Sequence, residues 1–287
     1  MQRFLRSLVC AAAALCLLAP AALADVLIGT AANDSLPGTA RPDQLYGEDG
    51  DDTLMGELAN DYLEGGPGSD RILGGPGDDL ALGGTGNDRI EGDVGQDVVY
   101  AGPGDDEVLG EAGHDMIFGQ AGADKLFGGL GDDVIYAGAG SDPGAQGSPT
   151  AGTAGPAGDF VDGGAGRDTI VAESGDSTLI GGLGDDTILA RTGNMTVRAG
   201  GGNDRVRTGN GDDMIEGASG SDRIDAGDGN DNITGDAGSD VIHAGPGDDT
   251  IDSRDGERDV VDCGRGKDAV RADKHDVLHG CEQRDVA

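Results

Sequence analysis

The sequence predicts an all-β parallel solenoid, and three observations carry that prediction. A nine-residue phrase repeats through most of the chain. Three successive copies, Gly65 to Glu91, read GGPGSDRIL, GGPGDDLAL and GGTGNDRIE. Glycine holds positions one, two and four, where its freedom of φ lets six residues close a tight turn. One apolar residue recurs at position eight: Ile72, Ala81 and Ile90 in these copies. A three-residue strand with its middle side chain turned inward accounts for that spacing. A single unit buries one side chain, too little to offset the ordering of nine residues, so stability requires stacking on further copies.

Composition alone describes something else. The 287 residues include 57 glycines, no tryptophan, and 55 acidic against 19 basic residues, which is the profile of a disordered polyanion. The fixed apolar spacing argues instead for order that depends on a cation. Position six is aspartate in nearly every unit, as in Asp70, Asp79 and Asp88. Stacking places these carboxylates in a column roughly 4.8 Å apart, and the column repels itself unless a cation sits in it. Carboxylate and turn-carbonyl oxygens suit a hard ion, calcium above all. So acidic a chain repels nucleic-acid phosphate and anionic membranes, so neither a nucleic-acid partner nor membrane insertion is expected.

The phrase, recurring many times in register, resembles GGxGxDxUx, the calcium-binding repeat of RTX (hemolysin-type) proteins. The resemblance implies a parallel β-roll, a right-handed β-solenoid stapled by calcium ions, with two nonapeptides to a coil and ions between turns on either side. Relatives often join this module to a protease, lipase, epimerase or cytolysin. Here repeats fill residues 29 to 271, so those activities are not carried over. No nucleophile–base constellation accompanies the four histidines, and the chain is expected not to be an enzyme.

In chain order, residues 1–24 read as a secretory signal peptide. Arg3 and Arg6 precede an apolar run from Leu8 to Leu18, and Ala22-Leu23-Ala24 fits a small-x-small cleavage site. Its removal takes Arg3 and Arg6 with it and moves the formal charge from −36 to −38. A secreted, extracellular protein is expected. Many RTX proteins instead leave through a C-terminal signal, and this chain departs from them there.

Units 25–46 are degenerate and form an N-terminal cap, retaining Asp34, Leu36, Asp43 and Leu45. The first full block, 47–142, carries Asp52, Asp61, Asp70, Asp79, Asp88, Asp97, Asp106, Asp115, Asp124, Asp133 and Asp142 at position six. Residues 143–153, PGAQGSPTAGT, form a loop. It either bulges from one continuous solenoid or separates two, and the immediate return of the repeat favours a bulge. The second block, 154–252, carries Asp159, Asp168, Asp186, Asp204, Asp213, Asp222, Asp231, Asp240 and Asp249. Two of its units lose the aspartate but keep the inward residue: Ser177 with Leu179, and Met195 with Val197. With two units per coil these are consecutive rungs of one side, which predicts a metal-free patch between Asp159 and Asp213, either a functional feature or decay of dispensable repeats.

One ion between same-side neighbours gives roughly eighteen calcium ions. Calcium would then offset most of the negative charge and couple folding to binding by mass action. Residues 253–287 are richer in charge and read as a C-terminal cap. Cys263 and Cys281 remain after signal removal, and an exported protein favours a disulfide between them, contributing roughly 3 kcal/mol. A zinc set with His275 and His279 is the alternative, although its spacing matches no standard finger. Position nine is apolar in several first-block units. Leu82, Tyr100, Phe118 and Tyr136 fall on one face as a possible partner stripe, and Leu109 and Phe127 on the other. The stripe reads either as a binding or self-association surface or as ordinary strand propensity or a face covered by the loop after Asp142. No regular Thr-x-Thr ladder occupies the outward strand positions, which argues against an ice-binding solenoid. A structural or calcium-buffering role is expected, with a calcium-dependent adhesin or matrix protein, binding a protein or glycan through the stripe, as the alternative.

Overall fold

The computed structural model describes residues 25–139 and 158–286. The expected signal peptide and Asp142 lie outside them. The chain winds as a parallel β-solenoid of about thirteen turns. Its strands form two fourteen-stranded sheets, and successive strands alternate between them. The first sheet begins with Val26–Ile28 and the second with Ser35–Thr39. Every pairing is parallel and joins residues two units apart, as in Leu45↔Leu63 and Leu54↔Ile72.

Position eight builds the core. Leu54, Leu63, Ile72, Ile90, Ile117 and Ile135 are fully buried, and their flanking residues at seven and nine point outward. Each sheet thus contributes one file of aliphatic side chains, and the two files meet in a narrow interior. Two such side chains for every eighteen-residue turn make a thin core, so the polar interactions between turns decide whether the stack holds.

Those turns require glycine where coils come closest. At position four, Gly68 has φ 154°, and a Cβ there would overlap the carbonyl oxygen of Gly50 one coil earlier. Position two also sits at positive φ but tolerates side chains, with Glu48, Asp93 and Glu111 at φ 72°, 81° and 76°.

The sheets run without interruption across residues 140–157. Leu126 pairs with Val161 and Ile135 with Ile170, each separated by 35 residues instead of eighteen. At the far end the ten-residue unit 253–262 lengthens the spacing to nineteen, as in Ile242↔Val261. The last strand, Gln283–Val286, is exposed and closes the second sheet. Cys263 and Cys281 are joined by a disulfide, with Cα atoms 5.2 Å apart. That bond consumes both thiolates and overturns the zinc alternative. Cys263 occupies position one of its unit and is fully buried, so the disulfide ties the final turn to the core.

Candidate metal centre along two carboxylate columns

The tight turn swings the position-six aspartate inward, so that Asp52, Asp70, Asp97 and Asp124 are only 1–2% exposed. Each is anchored to its neighbours at three points. Its Oδ1 accepts the backbone N–H of the aspartate one coil earlier: Asp52 N–H reaches Asp70 Oδ1 at 2.7 Å, and Asp79 N–H reaches Asp97 Oδ1 at 2.8 Å. Its own N–H goes to the aspartate one coil later, and its carbonyl accepts the N–H of that coil's position seven, as in Arg71 N to Asp52 O at 2.8 Å. Only Oδ2 is left. In twenty-one aspartates among the described residues, from Asp52 to Asp268, Oδ2 is buried and has no hydrogen-bond partner.

Such orphans are costly unless something fills the gap between turns. The gap is lined with oxygen. A Cβ placed on Gly119 would lie 2.5 Å from both Asp124 Oδ2 and the carbonyl oxygen of Ala137. One placed on Gly128 would lie 2.5 Å from Asp133 Oδ2 and from Gly163 O. A carboxylate oxygen and a main-chain carbonyl from the next coil therefore converge over the position-one residue. No cluster of three or more His, Cys, Asp or Glu side chains able to grip an ion occurs among the described residues. The donors are single carboxylates combined with main-chain carbonyls, a hard all-oxygen set that fits calcium and not zinc.

The electrostatics point the same way. Burial pushes the carboxyl pKa up to about 7 at Asp79, Asp97 and Asp133 and to about 8 at Asp124, with neighbouring aspartates adding to the rise. The backbone hydrogen bond from the preceding coil opposes the shift in each case without cancelling it. An ionised column is thus unfavourable as it stands and calls for positive charge.

Both columns are closed at their ends by protein groups. Asp34 Oδ2 accepts the N–H and the hydroxyl of Thr30 at 2.6 and 2.8 Å, and Asp43 Oδ2 those of Thr39 at 2.6 and 2.9 Å. At the other end, Asp259 N–H meets Asp276 Oδ1. Asp276 Oδ2 receives Asp273 N–H at 2.7 Å and the Ser253 hydroxyl at 3.1 Å. Asp268 N–H ends on Glu282 Oε2 at 3.1 Å.

The column facing the second sheet is broken where Ser177 and Met195 stand. Asp159 N–H still finds Ser177 Oγ at 3.1 Å, and Met195 N–H finds Asp213 Oδ1 at 2.7 Å. Met195 offers no oxygen to Ser177, and its side chain is 2% exposed within the core. The opposite column runs through Asp168, Asp186 and Asp204 unbroken. Asp159 occupies the rung above Asp124.

Sequence reasoning missed three groups. Asp268 belongs to the columns and has an orphaned Oδ2 atom, as does Asp259, which the sequence admitted to the count of sites only conditionally; the longer spacing before them disguises their register. Thr30 and Thr39 close the first carboxylates. Position five forms a second ladder on the outside of the turns, running in the opposite sense: Asp51 Oδ1 accepts Ser69 N–H at 3.0 Å, and Asn194 Oδ1 accepts Asp212 N–H at 2.9 Å. The frequency of Asp and Asn at position five was its visible signal.

The partner stripe lies on the first sheet. Tyr100, Phe118 and Tyr136 stack with centroids 4.6 and 5.0 Å apart and planes 3° from parallel, and Leu82 is the next residue of that file. Leu109 and Phe127 pair on the second sheet.

The family model for the RTX calcium-binding nonapeptide repeat (4 copies) matches residues 28–63, 37–72, 46–81, 73–108, 82–117, 109–142, 154–194, 196–224 and 225–258. The chain belongs to the RTX calcium-binding repeat family. No curated protein matches it. Among solved structures it is similar to a hyperactive, Ca2+-dependent, β-helical antifreeze protein from an Antarctic bacterium. That match has 18% identity and a TM-score of 0.36, covering 92% of this chain and 80% of the other.

Proposed function

We propose that this is a secreted calcium-dependent folding protein, in which the aspartates of the two columns hold roughly eighteen calcium ions between stacked turns and the finished rod serves as a structural or calcium-buffering element outside the cell. The observation that carries this reading is the row of twenty-one buried, unpartnered Oδ2 atoms. Each ion would be held by Oδ2 of a column aspartate, from Asp52 to Asp133 and from Asp159 to Asp249 with Asp259 and Asp268, together with turn carbonyls; bound calcium supplies the positive charge that these carboxylates need. Asp142 is included by its place in the repeat. The chain's own part is to aim Oδ2 by fixing Oδ1 and to exclude water by close packing of the coils. Export is inferred from residues 1–24 and is supported by the disulfide, a bond of oxidising compartments.

The test is a calcium titration of residues 25–287 followed by far-UV circular dichroism, with magnesium as control. A steep coil-to-β transition near millimolar calcium, not reproduced by magnesium, is expected. No transition, or an equal one with magnesium, would overturn the reading and leave a disordered polyanion.

A further inference from the structure

The two sheets present different outer faces. On the second sheet the outward residues are mixed and charged, and like charges are neutralised in place. Arg71 stacks on Arg89, and Glu91 and Glu107 pair with them. On the first sheet, six consecutive rungs carry no charge at positions seven and nine: Leu80/Leu82, Val98/Tyr100, Met116/Phe118, Val134/Tyr136, Thr169/Val171 and Thr187/Leu189. The apolar surface is therefore two files wide. Tyr100, Met116 and Tyr136 are 37–40% exposed. The parallel rings show that the rungs there stack with little rotation, unlike the usual twist of a sheet.

The flanks of this strip are oppositely charged. The rung before it carries Tyr62 and Glu64. The rungs after it carry Arg205, Arg207 and Arg223. Arg205 and Arg223 are directly stacked, an unfavourable arrangement of like charges, and neither has an ion-pair partner among the described residues. Arg207 alone has a carboxylate nearby, Asp225 at 3.7 Å.

We propose that the first sheet is a two-fold docking face for a second copy of this chain, packed sheet against sheet with the rods antiparallel. A two-fold axis lying along the strands, between the rungs of Met116 and Val134, makes the strip self-complementary. It sets Met116 and Phe118 against Val134 and Tyr136 of the second copy. The same operation sets Tyr62 against Arg205 and Glu64 against Arg207, so Glu64 of each copy meets Arg207 of the other and adds a second carboxylate beside Asp225. A glycan is a poorer occupant, because the ring faces of the stripe are taken up by one another and only edges remain exposed. Eight rungs of about 4.8 Å and a face about 10 Å wide give roughly 400 Å2 per copy. The pair then buries on the order of 800–1,000 Å2, the low end for a specific interface, which corresponds to a reversible dimer with a dissociation constant of about micromolar order. The proposal rests on calcium-dependent folding, since the face exists only in the stacked chain.

Sedimentation velocity in saturating calcium tests it, with circular dichroism confirming the fold of every sample. The expected result is a monomer–dimer equilibrium across ~1–100 μM. Met116→Glu should abolish it. Glu64→Arg or Arg207→Glu alone should each weaken association about tenfold, and the double exchange should restore it. Arg207 is exposed and Glu64 is half-buried, accepting the Tyr62 hydroxyl at 2.7 Å, and both lie outside the core. A folded chain that stays monomeric throughout that range overturns the proposal and leaves the strip to a different partner. A dimer lost in Met116→Glu but indifferent to the charge exchange overturns the antiparallel pairing. Failure of the chain to gain structure in calcium would instead strike the folding mechanism, and circular dichroism reports that separately.

Discussion

The ends and the middle of the carboxylate columns solve the same problem differently. At Asp43 and Asp276 both carboxylate oxygens find N–H or hydroxyl donors from the protein, and at Asp34 Oδ2 is satisfied by Thr30. From Asp52 to Asp268 one oxygen of each aspartate finds none. The difference comes from local chemistry. A threonine at position two, with its side chain folded back onto the turn, supplies two donors. The residue at position two of the interior turns, such as Gly66, Glu48 or Asp93, supplies no hydroxyl, and Oδ2 there has no protein donor. The terminal turns can be satisfied by the chain alone, while the interior turns leave one buried oxygen for an external ion. On the function proposed above, order in the middle is tied to calcium.

The largest test of that contrast is removal of the metal. Chelation at neutral pH is expected to abolish hydrogen-exchange protection in the interior strands, with far-UV circular dichroism falling in parallel. Protection that survives chelation would erase the distinction. Next comes a single rung. Asp97→Asn keeps an acceptor for Asp79 N–H but removes the charge, whereas Asp97→Ala removes both. Both variants should need more calcium to fold, and alanine should cost a further ~1–3 kcal/mol for the buried N–H left unpaired. Equal calcium midpoints for the two variants would mean that the Oδ1 anchor is irrelevant.

Acidity offers a third handle. The ordinary carboxyl value of 3.8 is raised to about 7 at Asp97 and about 8 at Asp124, chiefly by burial. A group raised in the fold stabilises it while protonated, and that contribution is lost as pH rises through the folded value. The metal-free chain should therefore gain β structure as pH falls from 8 towards 5. Over the same range its calcium midpoint should rise, because protons compete for the same oxygens. A metal-free chain that unfolds further on acidification would contradict the buried, raised carboxyls.

Restoring the broken column is a smaller change. Ser177→Asp with Met195→Asp should add about three bound ions per chain, one for each gap restored between Asp159 and Asp213, counted by native mass spectrometry, and lower the calcium midpoint. An unchanged count would show that position six alone does not define a site. The smallest effect belongs to the cap. Thr39→Val removes a hydroxyl donor from Asp43 and is expected to cost ~1 kcal/mol, read as faster exchange confined to the first turns. Loss of protection throughout the rod would make the cap a nucleus for the whole stack.

Much of this architecture was legible as a period. The inward file from Leu45 to Val270, the alternation of sheets and the adjacency of Ser177 and Met195 all follow from counting in nines and stacking in eighteens. What stayed hidden requires the larger number from the start. Position seven looks unremarkable when all units are pooled, because Arg71, Arg89, Glu107 and Lys125 dilute Leu80, Val98, Met116 and Val134. Read every eighteen residues, the two sets separate into a charged sheet and an apolar one. The threonine closures were hidden for another reason. Nothing in GTARPD distinguishes a decayed repeat from one that replaces an ion with a hydroxyl until the side chain is seen folded against Asp43.

The surplus residues between Asp124 and Asp159 show what kind of change such a rod tolerates. They leave every later residue on the sheet it would otherwise have occupied. One additional nonapeptide would not be so neutral. It would pack as well as its neighbours, yet send every downstream unit to the opposite side, moving Arg205 and Arg223 away from the apolar strip and Met195 into the other column. The chain thus carries two interleaved texts whose meaning depends on parity. Lengthening by pairs of units preserves both, while lengthening by one keeps the rod and exchanges what its faces display.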